Sequence, residues 1–220
     1  MNDVHENCRR ILARIQEAAV RGGRDPKSIK LIAVTKTVPP ERIREAVEFG
    51  VRNIGESRLQ EALPKVEALA DLDIAWHFIG RLQTNKAKKA VQHFDWVHSV
   101  DRSELAQKLN QAASKCLSVL IEVKLREEPD KGGVDEAGLS GLIDEFGSYD
   151  KLQLQGLMAI PPFFENAEDA RPYFRKLRGF AQRFGLRELS MGMSHDFEVA
   201  IEEGATMVRI GSALFGGRGM

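Results

Sequence analysis

Leu31-Ile32-Ala33-Val34-Thr35-Lys36-Thr37-Val38-Pro39-Pro40 is the stretch on which the fold turns. Residues suited to a buried strand run straight into a lysine, and the two prolines then end the strand. A continuous apolar run closed by turn residues reads as a strand covered on both faces, as in a parallel sheet. Lysine is rarely buried without a reason, and the carboxyl end of such a strand is where α/β proteins place their ligands. Two readings of Lys36 are open. It is a strand-end lysine whose stem lies on apolar surface while its ammonium reaches water, or a desolvated amine, partly neutral, able to attack a carbonyl and form a Schiff base. Taken alone, the stretch favours the first.

Outward from it the chain alternates. Strand-like 29–35 precedes helix 40–49; 51–54 precedes 57–69, in which Pro64 is expected to kink or split the helix. Strand 75–79 precedes helix 84–93, 96–100 precedes 103–115, and 117–123 is followed by a loop and helix 136–146. Strand 152–160 is followed by a loop and helix 170–184, strand 188–193 precedes helix 196–203, and 206–210 is the last strand. Before them Val4, Cys8, Leu12, Ile15 and Ala19 recur at helical spacing up to Gly22-Gly23. Asp3, Glu6 and Glu17 break the basic face of this first helix, so it packs on the domain instead of lying on a membrane.

Eight strands alternating with helices imply parallel strands with right-handed crossovers, and eight close naturally into a (β/α)₈ TIM-type barrel. The first helix is expected to fill the place of the missing eighth. An open doubly wound sheet, the alternative, would leave strand edges to be covered. With 220 residues, 43% hydrophobic, and no visible linker, residues 1–220 read as one domain with an ample core. A formal net charge of zero argues against a nucleic-acid or anionic-lipid surface. The two cysteines, Cys8 and Cys116, are expected to be buried thiols of a reducing compartment. With no signal peptide and no membrane-spanning run, the expectation is a soluble cytoplasmic protein, and a monomer.

In a barrel the polar residues at the carboxyl ends of strands are the candidate site. Those ends offer Lys36; Asn53 with Gly55-Glu56-Ser57; His77 and the run 80–86; residues 158–162; 190–195; and Arg209-Ile210-Gly211-Ser212. Ser194 and Ser212 each stand before a helical start on neighbouring strands, a pairing that suits a phosphate, although each is also an ordinary N-cap candidate. Arg209 interrupts an apolar strand and cannot shed its charge, so it needs a carboxylate such as Glu122, or a ligand. Asp196 is expected to turn away from any bound phosphate and to cap or pair locally.

Other constellations are weaker. Ser194-His195-Asp196 is consecutive, and consecutive residues point apart, so it is not a triad. The histidines at 5, 77, 93, 98 and 195 show no zinc spacing, and no metal site is expected. Arg81, Lys86, Lys88 and Lys89 read as a solvated helix face rather than an RNA contact. Lys124, ending strand five, is the rival for any Schiff base.

Several runs carry a resemblance. They are Ala33-Val34-Thr35-Lys36; Asn53-Ile54-Gly55-Glu56-Ser57-Arg58-Leu59-Gln60-Glu61; and Trp76-His77-Phe78-Ile79-Gly80-Arg81-Leu82-Gln83-Thr84-Asn85-Lys86. Gly156-Leu157-Met158-Ala159-Ile160-Pro161, Ser190-Met191-Gly192-Met193-Ser194-His195-Asp196 and Arg209-Ile210-Gly211-Ser212-Ala213-Leu214-Phe215-Gly216 follow in order. Together they resemble the pyridoxal phosphate homeostasis proteins, barrels similar to the amino-terminal domain of alanine racemase. The resemblance implies pyridoxal 5'-phosphate as cofactor, with Lys36 as its aldimine lysine. Ser194, Gly211 and Ser212 would hold the phosphate, Arg209 would face the pyridine nitrogen, and Asn53 and His77 would line the cofactor. It further implies a carrier or buffer rather than an enzyme, with pyridoxal phosphate-dependent apoenzymes as partners; an amino-acid racemase is the alternative. Where many relatives have Val-Asn and a later Lys-x-Gly, this chain has Val123-Lys124 and Lys131-Gly132-Gly133, so a ligand contact from that loop is in doubt.

Overall fold

The computed structural model describes residues 3–126 and 132–216. Asp3 caps α1 (Val4–Arg21), its carboxylate accepting from the N–H groups of His5 and Glu6, and Gly22 follows its last turn. The apolar run becomes β1 (Lys30–Val34), and Pro40 opens α2 (Pro40–Glu48), where its missing N–H costs nothing. Next come β2 (Asn53–Glu56), α3 (Leu59–Ala68), β3 (Ala75–Phe78), α4 (Ala87–His93), β4 (Trp96–Val100) and α5 (Ser103–Ala112). The second half adds β5 (Leu117–Glu122), α6 (Glu136–Glu145), β6 (Leu152–Met158), α7 (Arg171–Arg183), β7 (Glu188–Met193), α8 (Phe197–Glu202), β8 (Met207–Ile210) and the short α9 (Ser212–Phe215).

The eight strands close into one parallel barrel in sequence order, β8 returning to β1 with Ile32 opposite Arg209. α1 packs against α2, α8 and α9, so it covers the barrel wall where an eighth long helix would lie. Ile32, Leu120, Met158 and Met207 form a small apolar cluster inside the barrel, and a much larger cluster fills the space between strands and helices. This two-core arrangement follows from alternation: in each strand every second residue faces inward. No helix among the described residues is long and apolar enough to cross a membrane.

Three sequence expectations need correction. β2 runs two residues later than 51–54, because Gly55 and Glu56 are strand rather than turn. A Cβ on Gly55 would stand 2.8 Å from Ile32 Cγ2, so the strand needs a glycine there. Glu56 faces outward, fully buried, with a cationic partner on α3. Asn53 therefore opens β2 at the floor of the barrel instead of closing it at the rim. Pro64 lies inside α3 without splitting it; the carbonyl it leaves without a donor belongs to Gln60, which is exposed. Cys8 is buried, and burial pushes its thiol up to about 11, but Cys116 is exposed in the turn before β5. Lys131 lies outside the described residues.

Candidate functional site

At the carboxyl end of the barrel a cavity of about 640 Å³ opens between the ends of β1, β7 and β8. Lys36, Ser194, Arg209, Gly211 and Ser212 all line it, together with Arg42, Ser57 and Ile160. Lys36 is an exposed residue at this cavity, which agrees with the first of the two readings left open by its stretch, a strand-end lysine whose ammonium reaches water. Lys124 lines a separate neighbouring hollow with Glu122 and Arg126. Arg81, Lys88 and Lys89 are exposed.

Ser212 at the start of α9 donates to Ser194 Oγ across 3.2 Å. Two hydroxyls from adjacent strands thus converge on the same part of the cavity wall, and both can turn toward an oxyanion. Gly211 brings β8 close to β1: a Cβ there would stand 3.1 Å from the Val34 carbonyl oxygen. Asp196 turns away, its carboxylate accepting from the Met193 N–H at 2.7 Å. That bond closes the turn carrying Ser194 and keeps a negative charge off the cradle.

Arg209 is 4% exposed. The carboxylate expected beside it is absent from its hydrogen bonds. One terminal nitrogen donates to the carbonyl and the hydroxyl of Ser190, both at 2.7 Å, and the other to the Ala159 carbonyl at 3.0 Å. Burial lowers its pKa to about 10, opposed by the more distant charges of Glu122 and Asp196; it stays cationic at neutral pH. Its direct hydrogen bonds go to dipoles, while the carboxylates of Glu122 and Asp196 act on its charge from further off.

Behind Arg209 runs a chain that sequence reading missed. Ser190 Oγ is 2.9 Å from His98 Nδ1, His98 Nε2 is 2.9 Å from His77 Nδ1, and His77 Nε2 is 3.1 Å from Asn53 Oδ1. Arg209 already donates to Ser190 Oγ, so the tautomers that satisfy every atom make all the donors of the chain point one way. Ser190 donates to His98, His98 to His77, and His77 to the Asn53 oxygen. Asn53 and His77 therefore do not line the cavity; they end a buried relay that reaches it through Arg209. The missed signal was a polar residue inside each of two apolar strands, His98 in β4 and Ser190 in β7.

Burial pushes His77 down to about 3 and His98 well below the usual histidine range, the latter helped by His77 and Arg209. Both are neutral when folded but take up protons near pH 6.5 when unfolded. Their contribution to stability is complete above that pH and falls as pH drops from about 6.5 toward 3, by up to about 1.4 kcal/mol per pH unit for each histidine. Urea midpoints at pH 7.5 and 5.0 should show this loss, and His98→Gln should show a shallower one. Equal slopes in both proteins would exclude His98 as a source of it.

The chain matches the family described as alanine racemase, N-terminal domain, over residues 7–219. It is 50% identical over 222 residues to the pyridoxal phosphate homeostasis protein of Aquifex aeolicus, covering 97% of each chain. PipY of Synechococcus elongatus, solved with pyridoxal phosphate bound, is similar at 41% identity and a TM-score of 0.82, over 92% of this chain and 100% of that one. Alanine racemase of Corynebacterium glutamicum shares the fold at 18% identity and a TM-score of 0.69, over 96% of this chain and 59% of its own.

Proposed function

This chain belongs to the pyridoxal phosphate homeostasis protein family, and from that premise we propose that it binds pyridoxal 5'-phosphate at the barrel mouth and yields it to pyridoxal phosphate-dependent apoenzymes, without turning over a substrate of its own. The observation that carries the reading is the meeting of Lys36, Ser194, Arg209, Gly211 and Ser212 around one cavity. Bound pyridoxal phosphate supplies an aldehyde that condenses reversibly with a primary amine. Lys36 is the amine exposed to that cavity, Ser194 and Ser212 are hydroxyl donors for a phosphate, and Gly211 lets β8 come close to β1 beside them. Asn53 and His77 would act from behind, by fixing the direction in which Arg209 points.

The carrier reading draws support from Arg209. A guanidinium that stays protonated offers only donors, so a ring nitrogen placed against it is an acceptor and carries no proton. Such a ring is a poor electron sink. Exchange of the cofactor between amines needs no such sink, whereas racemisation is slowed by a weak one. The family name of the similar proteins agrees with this reading.

Titrating the purified protein with pyridoxal phosphate should produce a visible absorbance band. In the Ser194→Ala, Ser212→Ala double variant its half-saturation should shift upward by on the order of tenfold per hydroxyl lost. The loaded protein should reactivate an added apoenzyme, and incubation with L-alanine or L-serine should leave the D-enantiomers near background. Sustained racemisation at ordinary enzymatic rates would replace the carrier by a racemase.

A further inference from the structure

Thr37 has a φ of 62° and is the described non-glycine residue with positive φ. A β-branched side chain in the left-handed region costs about 1–2 kcal/mol, and such a residue persists only where its surroundings over-determine it. Thr37 stands in a turn that the Val38 N–H closes on the Thr35 carbonyl at 3.0 Å, and its hydroxyl donates to the Lys36 carbonyl at 2.6 Å. Packed against this turn are two residues of α3, Glu61 and Lys65, one helical turn apart on one face. Lys65 Nζ donates to the Thr35 carbonyl at 2.5 Å and to Glu56 Oε1 at 2.7 Å, and Thr35 Oγ1 donates to the same carboxylate oxygen at 2.6 Å. On the other side stands the Glu61 carboxylate, which accepts from Arg58 at 2.7 Å; Arg58 first, and the Thr37 N–H that the carboxylate faces, hold its pKa below the usual carboxylate range. The Thr35 carbonyl and the Thr37 N–H belong to the two peptide groups that flank Lys36. Ammonium meets carbonyl before the lysine, and carboxylate meets N–H after it.

We infer that Glu61 and Lys65 are positioning residues, a clamp on both peptide groups of Lys36 that holds its side chain toward the cavity and keeps Thr37 in its strained conformation. This rests on the reading of Lys36 as the amine that captures pyridoxal phosphate. A purely structural ion pair is the plainer account of Lys65 with Glu56, whose side chains are 10% and 0% exposed. Yet a buried pair of that kind is often no more stable than apolar residues of the same volume. Stability alone does not explain why its spare hydrogen bond goes to the peptide preceding Lys36.

Two variants test the clamp: Glu61→Ala, at a half-buried position, and the neutral pair Lys65→Met with Glu56→Gln, which leaves no lone buried charge. One readout is hydrogen exchange at the Thr37 amide in the cofactor-free protein. The other is the rate at which the visible band forms at saturating pyridoxal phosphate, taken apart from the half-saturation. Losing a charge-assisted hydrogen bond should speed Thr37 exchange and slow band formation, each by about tenfold or more, while half-saturation and, for Glu61→Ala, the urea midpoint change little. Glu61→Gln keeps an acceptor and should restore most of the rate. Parent-like exchange and band rates in Glu61→Ala would overturn the inference, and so would effects in the neutral pair that only track its urea midpoint. If the parent forms no band, the functional reading fails, while Thr37 exchange still decides the clamp.

Discussion

Replacing Lys36 with alanine is expected to abolish the visible band that the protein acquires with pyridoxal phosphate, not merely to weaken it. Among the described residues that line the cavity, Lys36 is the one lysine. Arginine cannot replace it, because a guanidinium stays protonated and is no nucleophile at neutral pH. The phosphate donors remain in the variant, so pyridoxal phosphate should still bind, reversibly and with the spectrum of the free aldehyde. Borohydride reduction followed by peptide mapping should fix the label on Lys36 in the parent and nowhere in the variant. Lys124→Ala should leave the band intact, since Lys124 opens onto a different hollow. A band that survives Lys36→Ala and is lost with Lys124→Ala would move the site to strand five.

The largest stability effect should come from Arg209→Met. Methionine fits the interior beside Met158 and Met207 but supplies none of the three hydrogen bonds that Arg209 gives to Ser190 and Ala159. Two buried carbonyls lose a donor, and the relay through His98 loses its charged end. The expected cost is about 3–5 kcal/mol, read as a fall in the urea midpoint at constant slope. Arg209→Lys should recover little, because a single ammonium lacks the planar fork that reaches the Ser190 carbonyl on β7 and the Ala159 carbonyl just past β6. A variant within about 1 kcal/mol of the parent would mean that water satisfies the groups Arg209 leaves behind.

Much of the rim was legible because the relevant residues break patterns. Lys36 stands at the end of an apolar strand, Arg209 inside one, and Ser194 and Ser212 between strand and helix, so each is conspicuous before any fold is known. Asn53 was misplaced for the opposite reason. Gly55-Glu56 has the composition of a turn, and only the close side chain of Ile32 and the buried ammonium of Lys65 make it strand. Glu61 and Lys65 show an i, i+4 spacing that reads equally as a solvent-facing ion pair. Nothing local says that the same helix face lies over the end of β1.

What the sequence determined by itself is the barrel and the residues at its mouth. Hydrophobic period and chain order are local properties, and eight strands alternating with helices leave few ways to cover every strand edge. The tertiary structure alone decided which polar residues touch one another. Ser190, His98, His77 and Asn53 come from four strands, as far apart as position 53 and position 190, and become a single hydrogen-bonded line because barrel closure brings their inward faces together. The neighbours of Lys36 were decided the same way. It follows the first strand in sequence, but the carbonyl of the peptide group before it accepts from Lys65 of the third helix.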